Sequence, residues 1–179
     1  VTLRLLRGEL MADLKTTYLG IQLNNPIVAA SCGLVSTASG VQKAEAAGVG
    51  AVILKSLFEE QIRMETAQAA QSLEEWSHPE AGAYLQTEVW MQYGPRDYCS
   101  LIEECKEKVK IPVFASVNCT SGKWWTDYAR DMESAGADGI ELNILVPGTE
   151  FDRRGSEEEQ VYFEVVEAVD GAVKIPVAA

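Results

Sequence analysis

Ala46-Ala47-Gly48-Val49-Gly50-Ala51-Val52-Ile53-Leu54-Lys55 has a counterpart later in the chain, Ser134-Ala135-Gly136-Ala137-Asp138-Gly139-Ile140-Glu141-Leu142-Asn143. Each reads as a helix end, a glycine turn, a short apolar strand and then a polar residue where the strand stops. A second echo runs beside it. Val109-Lys110-Ile111-Pro112-Val113 recurs as Val173-Lys174-Ile175-Pro176-Val177. In both, proline blocks helix continuation and the apolar run behind it enters a strand. Repeated units of this kind predict a parallel α/β sheet, either open and doubly wound or closed as a (β/α)8 barrel.

Working outward, Ile27-Val28-Ala29-Ala30, Ala51–Leu54, Val113–Val117 and Gly139–Leu142 read as strands buried on both faces, and a fifth begins at Ile175. Helices are expected from Ser39, as the cap, to about Ala47, and around Arg96–Val109, Trp124–Ser134 and Glu157–Val169. Thr17–Leu23 reads as a small hairpin with a poorly marked turn. No GxGxxG or GxxxxGK[ST] follows the first strand, which weakens the open dinucleotide-binding fold and favours the barrel. A barrel typically takes about 250 residues, and this sequence has 179. It reads as roughly the first half of one, over residues 11–179. Residues 1–10 read as an extension outside the fold, with Met11-Ala12-Asp13-Leu14-Lys15 as the natural start.

Composition excludes several functions. The chain carries 15 Lys+Arg against 27 Asp+Glu, a formal charge of −12. That balance argues against nucleic acid or an anionic membrane as partner, and no apolar run reaches the ~18 residues of a membrane span. Cys32, Cys99, Cys105 and Cys119 form no CxxC pair and His78 is the one histidine, so no metal site is expected. Reduced thiols and a cytoplasmic location are the expectation. A small-molecule substrate is the expected partner. A half barrel with open edges is further expected to self-associate as a homo-oligomer or aggregate.

Barrel chemistry sits where strands end, and polar residues stand there: Ser31, Lys55, Ser56, Asn118 and Asn143. Lys55 offers a cation for an anionic ring or phosphate, or else pairs with Glu59 or Glu60. Asn118 and Asn143 offer amide donors and acceptors to a flat, heteroatom-edged ligand, or cap loops. Glu141, within a strand, requires a partner, and a structural or a catalytic role is equally open. Trp76, Trp90, Trp124 and Trp125 read as helix–sheet packing, and His78 as a surface residue.

At these residues the chain resembles the dihydroorotate dehydrogenase family. The likeness is carried by Asn25-Pro26-Ile27-Val28-Ala29-Ala30-Ser31-Cys32-Gly33, by Ala51–Ser56 and by Ile140–Asn143, and runs from about Met11 to Ala179. It implies an FMN-dependent (β/α)8 oxidoreductase that takes dihydroorotate to orotate in pyrimidine synthesis, or performs a related CH–CH oxidation. It further implies that Ser31, Lys55, Ser56, Asn118 and Asn143 contact FMN, with Lys55 and Asn143 also touching substrate. The family's catalytic cysteine or serine falls at Val146, which cannot accept a proton, and Gly148 replaces a substrate-binding asparagine. The family's substrate loop has no clear counterpart near Met91–Pro95. Its fifth-strand lysine and glycine-rich phosphate site belong to later strands. Two other readings stand beside it: a non-flavin barrel lyase or isomerase using Lys55 as a Schiff-base or electrostatic lysine, and a non-catalytic half barrel.

Overall fold

The computed structural model describes residues 12–60, 96–119, 122–145 and 154–179. The expected extension, together with Trp76, His78, Trp90, the Met91–Pro95 stretch, Val146 and Gly148, lies outside the described residues. The strands are β1 (Thr16–Tyr18), β2 (Ile21–Leu23), β3 (Val28–Ala29), β4 (Ala51–Ile53), β5 (Leu57–Phe58), β6 (Val113–Asn118), β7 (Gly139–Leu142) and β8 (Val177–Ala178). The helices are α1 (Ala38–Ala46), α2 (Arg96–Lys108), α3 (Gly122–Ser134) and α4 (Gly155–Asp170).

β3, β4, β6, β7 and β8 pair in parallel, in that order. Sheet order therefore follows chain order, with helices between the strands. A doubly wound sheet reverses its order at a switch point, and no reversal occurs here. The described sheet is one arc of a (β/α)8 barrel. β5 is an addition that the sequence reading lacks: two residues that rejoin β6 beyond the end of β4.

Alternation along each strand divides the apolar residues between two layers. Val52, Leu54, Val113, Ala115, Val117, Ile140 and Leu142 face the helices and pack with Val41, Ile102, Trp125, Met132 and Val169. Ala51, Ile53 and Phe114 face the other way, against Leu19, Ile21, Leu23 and Val28. The β1–β2 hairpin thus covers the amino-terminal end of the inner face, where Tyr18 meets Phe114 edge-on at 5.5 Å. Its turn holds Leu19 at φ 51°. Leucine rarely adopts that conformation, so the sequence marks the turn poorly; packing of the Leu19 side chain into the inner cluster compensates.

The internal echoes hold at the level of single bonds. Glu45, near the end of α1, accepts the backbone N–H groups of Lys110 and Ile111 on one oxygen, at 2.7 and 3.3 Å. Glu133, near the end of α3, accepts those of Lys174 and Ile175 in the same way, at 2.6 and 3.1 Å. Both helices then stop at a glycine with φ 92°, Gly48 and Gly136, a backbone region closed to most side chains. The prolines that follow the clamped residues accept from the neighbouring strand on their carbonyls, Pro112 from the Val52 N–H and Pro176 from the Ile140 N–H.

One boundary differs from expectation. The cap of α1 is Thr37, whose hydroxyl accepts from Gly40 N at 3.2 Å. Thr37 is the last extended residue (φ −141°) and the helix has begun at Ala38, which leaves Ser39 inside the first turn. The last helix starts on acidic residues, Glu157 and Glu158, and Glu157 of α4 accepts the N–H of Arg154 at 3.2 Å.

Candidate functional site

β4 and β6 stay paired only as far as Leu54, whose N–H donates to the Phe114 carbonyl at 2.9 Å. Beyond that point the Ser116 N–H donates instead to the Tyr98 hydroxyl, at 2.9 Å. Tyr98 comes from α2, so a helix side chain fills the gap in the ladder. Burial pushes the Tyr98 hydroxyl well above the ordinary tyrosine range, while its bond from Ser116 opposes that shift. The phenol stays neutral and serves as acceptor. Within the gap the chain carries Lys55 and Ser56 before β5 rejoins β6 at Leu57. One of the two turns outward and the other inward: Lys55 is exposed, and Ser56 is 8% exposed.

Ser56 lies in a row of hydroxyls that crosses the sheet. Ser31 Oγ is 3.0 Å from Ser56 Oγ and accepts the Ser56 N–H at 2.9 Å. Ser56 Oγ is 2.8 Å from Ser116 Oγ. Ser116 Oγ donates to Glu141 Oε1 at 3.2 Å. Four consecutive parallel strands or their ends each contribute one member. Glu141 was expected to require a partner, and Ser116 is that partner. Ser116 itself escapes a sequence reading, although a serine amid Val113-Phe114-Ala115 and Val117, two residues before Asn118, carries the alternation that would reveal it.

The remaining site residues stand at the carboxyl ends of the strands. Asn118, 8% exposed, donates its amide to the Asn143 carbonyl at 2.6 Å. Asn143 donates its own N–H to Val117 O at 2.8 Å and leaves its side chain exposed. Register pairs Phe114 with Gly139 and Ser116 with Glu141, so the next step of the alternation sets Asn118 level with Asn143. The alternative in which Lys55 pairs with Glu59 or Glu60 is not met. Lys55 makes no ion pair with a described residue; its ammonium stands 5.7 Å from the centre of the Phe58 ring. Glu59 is fully buried, whereas Lys55 is exposed. The five expected residues therefore gather at one end of the sheet. Ser31, Ser56 and Asn118 are tied to neighbours, while Lys55 and the Asn143 side chain reach solvent.

A second buried group lies behind β6. Tyr128 of α3 is enclosed with its hydroxyl unbonded among the described residues, and Trp124 stacks on it at 5.6 Å. Burial, with Glu59 nearby, pushes the Cys119 thiol and the Tyr128 hydroxyl far upward. Trp125 packs in the helix–sheet core, as expected for an aromatic on that helix. Among the described residues, no group of three or more His, Cys, Asp or Glu is placed to hold a metal ion, and no helix is long and apolar enough to cross a membrane.

No family model matches the sequence. In shape the chain is similar to a protein assigned as a dihydrodipicolinate synthetase from Pseudomonas aeruginosa, with a TM-score of 0.49 and 16% identity over 84% of this chain and 43% of that one. It is also similar to an IMP dehydrogenase/GMP reductase-like protein from Corynebacterium glutamicum, with a TM-score of 0.47 and 12% identity over 92% of this chain and 42% of that one. Neither bears a dihydroorotate dehydrogenase name. The chain spans less than half the length of either.

Proposed function

We propose that the chain forms part of an FMN-dependent oxidoreductase of the dihydroorotate dehydrogenase type, with its site at the carboxyl ends of β3, β4, β6 and β7. The observation that carries this reading is the grouping of an exposed lysine, without an ion pair among the described residues, with two asparagines on adjacent strand ends. The donor set suits a flavin. Lys55 supplies a cation, Asn143 supplies an exposed amide, and Asn118 has an amide oxygen unbonded among the described residues that suits a ring N–H. Bound FMN would supply the two-electron chemistry. The protein's part is to hold the ring edge with Asn118 and Asn143 and to balance negative charge with Lys55. Ser31 and Ser56, already bonded to each other, brace the loop that carries Lys55.

Flavin retention tests the reading directly. The full-length protein that carries this chain, with the later strands present, is incubated with FMN, passed through a desalting column, and read by absorbance at the flavin bands. Wild-type protein retains FMN, and Lys55→Ala or Asn143→Ala retains less. Equal retention by all three sinks the assignment of these residues, and no retention by wild type sinks the flavin reading. In that event borohydride trapping of Lys55 with a carbonyl substrate would favour the Schiff-base lyase.

A further inference from the structure

The hydroxyl row has only one polarity when Glu141 is ionised. A carboxylate accepts and cannot donate, so Ser116 gives its single hydroxyl proton to Glu141. Ser56 must then donate to Ser116, and Ser31 to Ser56. Ser31 Oγ also accepts the Ser56 N–H, which leaves it one lone pair. Ser31 is the half-buried end of the row, just past β3, whereas Ser56 and Ser116 are 8% and 0% exposed. An acceptor thus stands at the strand ends, wired through two buried hydroxyls to a carboxylate inside β7.

We propose that Glu141 is the proton acceptor of the strand-end site, working through Ser116, Ser56 and Ser31. The proposal rests on reading the strand ends as the site, and it adds a substrate class: a carbon or nitrogen acid. A C–H or N–H bond of the bound molecule breaks and its proton joins Ser31 Oγ. Ser31 passes its own proton to Ser56, Ser56 passes its own to Ser116, and Ser116 passes its own to Glu141 Oε1, which becomes a carboxylic acid. The electron pair stays on the bound molecule, and the Lys55 ammonium is the cation available to it. The three bonds that join the hydroxyls and Glu141 survive with their directions reversed, and the Ser56 N–H still donates to Ser31 Oγ, so the transfer leaves no member of the row unpaired. Val146, at the family's base position, cannot do this work. Among the described residues, the titratable group that feels the charge of Glu141 is Tyr98 on α2.

Isotope exchange tests the relay without any need for an electron acceptor. The full-length protein that carries this chain is held in deuterated water with dihydroorotate, and loss of the C5 protons is followed by NMR. FMN retention and melting temperature are recorded for each variant. Wild type exchanges, with a rate that rises with pH as one group deprotonates. Glu141→Gln abolishes that pH limb, and both it and Ser56→Ala slow exchange by about 10²-fold or more. Ser56→Thr keeps the hydroxyl and restores most of the rate, which a purely structural role for Ser56 does not require. Should Ser56→Ala fail to fold, Ser56→Thr and the Glu141→Gln profile decide. Unaltered exchange in Glu141→Gln, or none in wild type, overturns the proposal. Exchange without FMN retention would sink the flavin reading alone, and FMN retention without exchange would sink the relay alone.

Discussion

Ser56 Oγ and Ser116 Oγ lie 2.8 Å apart across the point where β4 leaves β6. Backbone pairing between the two strands has ended there, and side chains take over. Ser116 holds Tyr98 through its N–H, Ser56 and Glu141 through its hydroxyl.

Removing one hydroxyl of a buried pair leaves the other short of a partner, at a cost of about 1–3 kcal/mol. Ser56→Ala and Ser116→Ala should each destabilise by roughly that amount, while the double variant costs less than their sum. Urea unfolding of all four proteins measures the coupling. Strictly additive losses would mean that the hydroxyls act independently.

The barrel arc was legible because βα units repeat, and a repeat is visible in one sequence. The carboxyl ends of the strands were legible for the same reason, which is how Lys55, Asn118 and Asn143 could be named before any coordinates. The hydroxyl row was less accessible. It depends on β4 stopping opposite Phe114 while β6 runs on to Asn118, and on Tyr98 arriving from a helix, and neither leaves a local mark. β5 is only two residues long, too short for periodicity to register. The Leu19 turn runs against local propensity and is decided by tertiary packing.

The two carboxylate clamps should be interchangeable in effect. Glu45→Ala frees the N–H groups of Lys110 and Ile111, and Glu133→Ala frees those of Lys174 and Ile175. Water reaches these loops in part, so each loss should cost about 1–2 kcal/mol rather than the full value of two charged hydrogen bonds. Glutamine at either position keeps the acceptor oxygen and should recover much of the stability. Thermal melts of the four variants check it; a clamp whose alanine variant melts with wild type contributes nothing.

Tyr128 offers a change in the other direction. Its hydroxyl is buried without a bond among the described residues, and an unsatisfied buried polar group costs about 1–3 kcal/mol. Tyr128→Phe keeps the ring that stacks on Trp124. The variant should be at least as stable as wild type, by chemical denaturation. A clear loss would reveal a partner for the hydroxyl.

Thiol reactivity should separate one cysteine from three. Burial, with Asp131 and Glu103 near it, pushes the Cys99 thiol up to about 11, and burial with Glu104 pushes Cys105 up to about 11 as well. Cys119 is buried and shifted further. The thiolate is the reactive form, so at pH 8 these three react slowly with a disulfide reagent, while exposed Cys32 reacts at once. A fast phase of one thiol per native chain, rising to four on denaturation, is the expected count. Loss of the fast phase in Cys32→Ser assigns it.

Asp131 carries a pH dependence whose sign follows from its surroundings. Partial burial raises its carboxyl above the usual range, and Asp127, one turn back on α3, adds to the shift. The folded chain therefore holds the Asp131 proton more tightly than the unfolded chain does. Its contribution to stability is full below the unfolded carboxyl range near 3.9, falls as pH rises through the folded value, and stays low above it. Asp131→Asn removes that loss and the like-charge repulsion, which in such helical pairs amounts to about 0.2–0.5 kcal/mol. The variant should melt higher than wild type at pH 7, and the difference should close as pH falls below the carboxylate range. A variant that gains nothing at pH 7, or that keeps its advantage at pH 3, would show that Asp131 does not feel Asp127 in the folded chain.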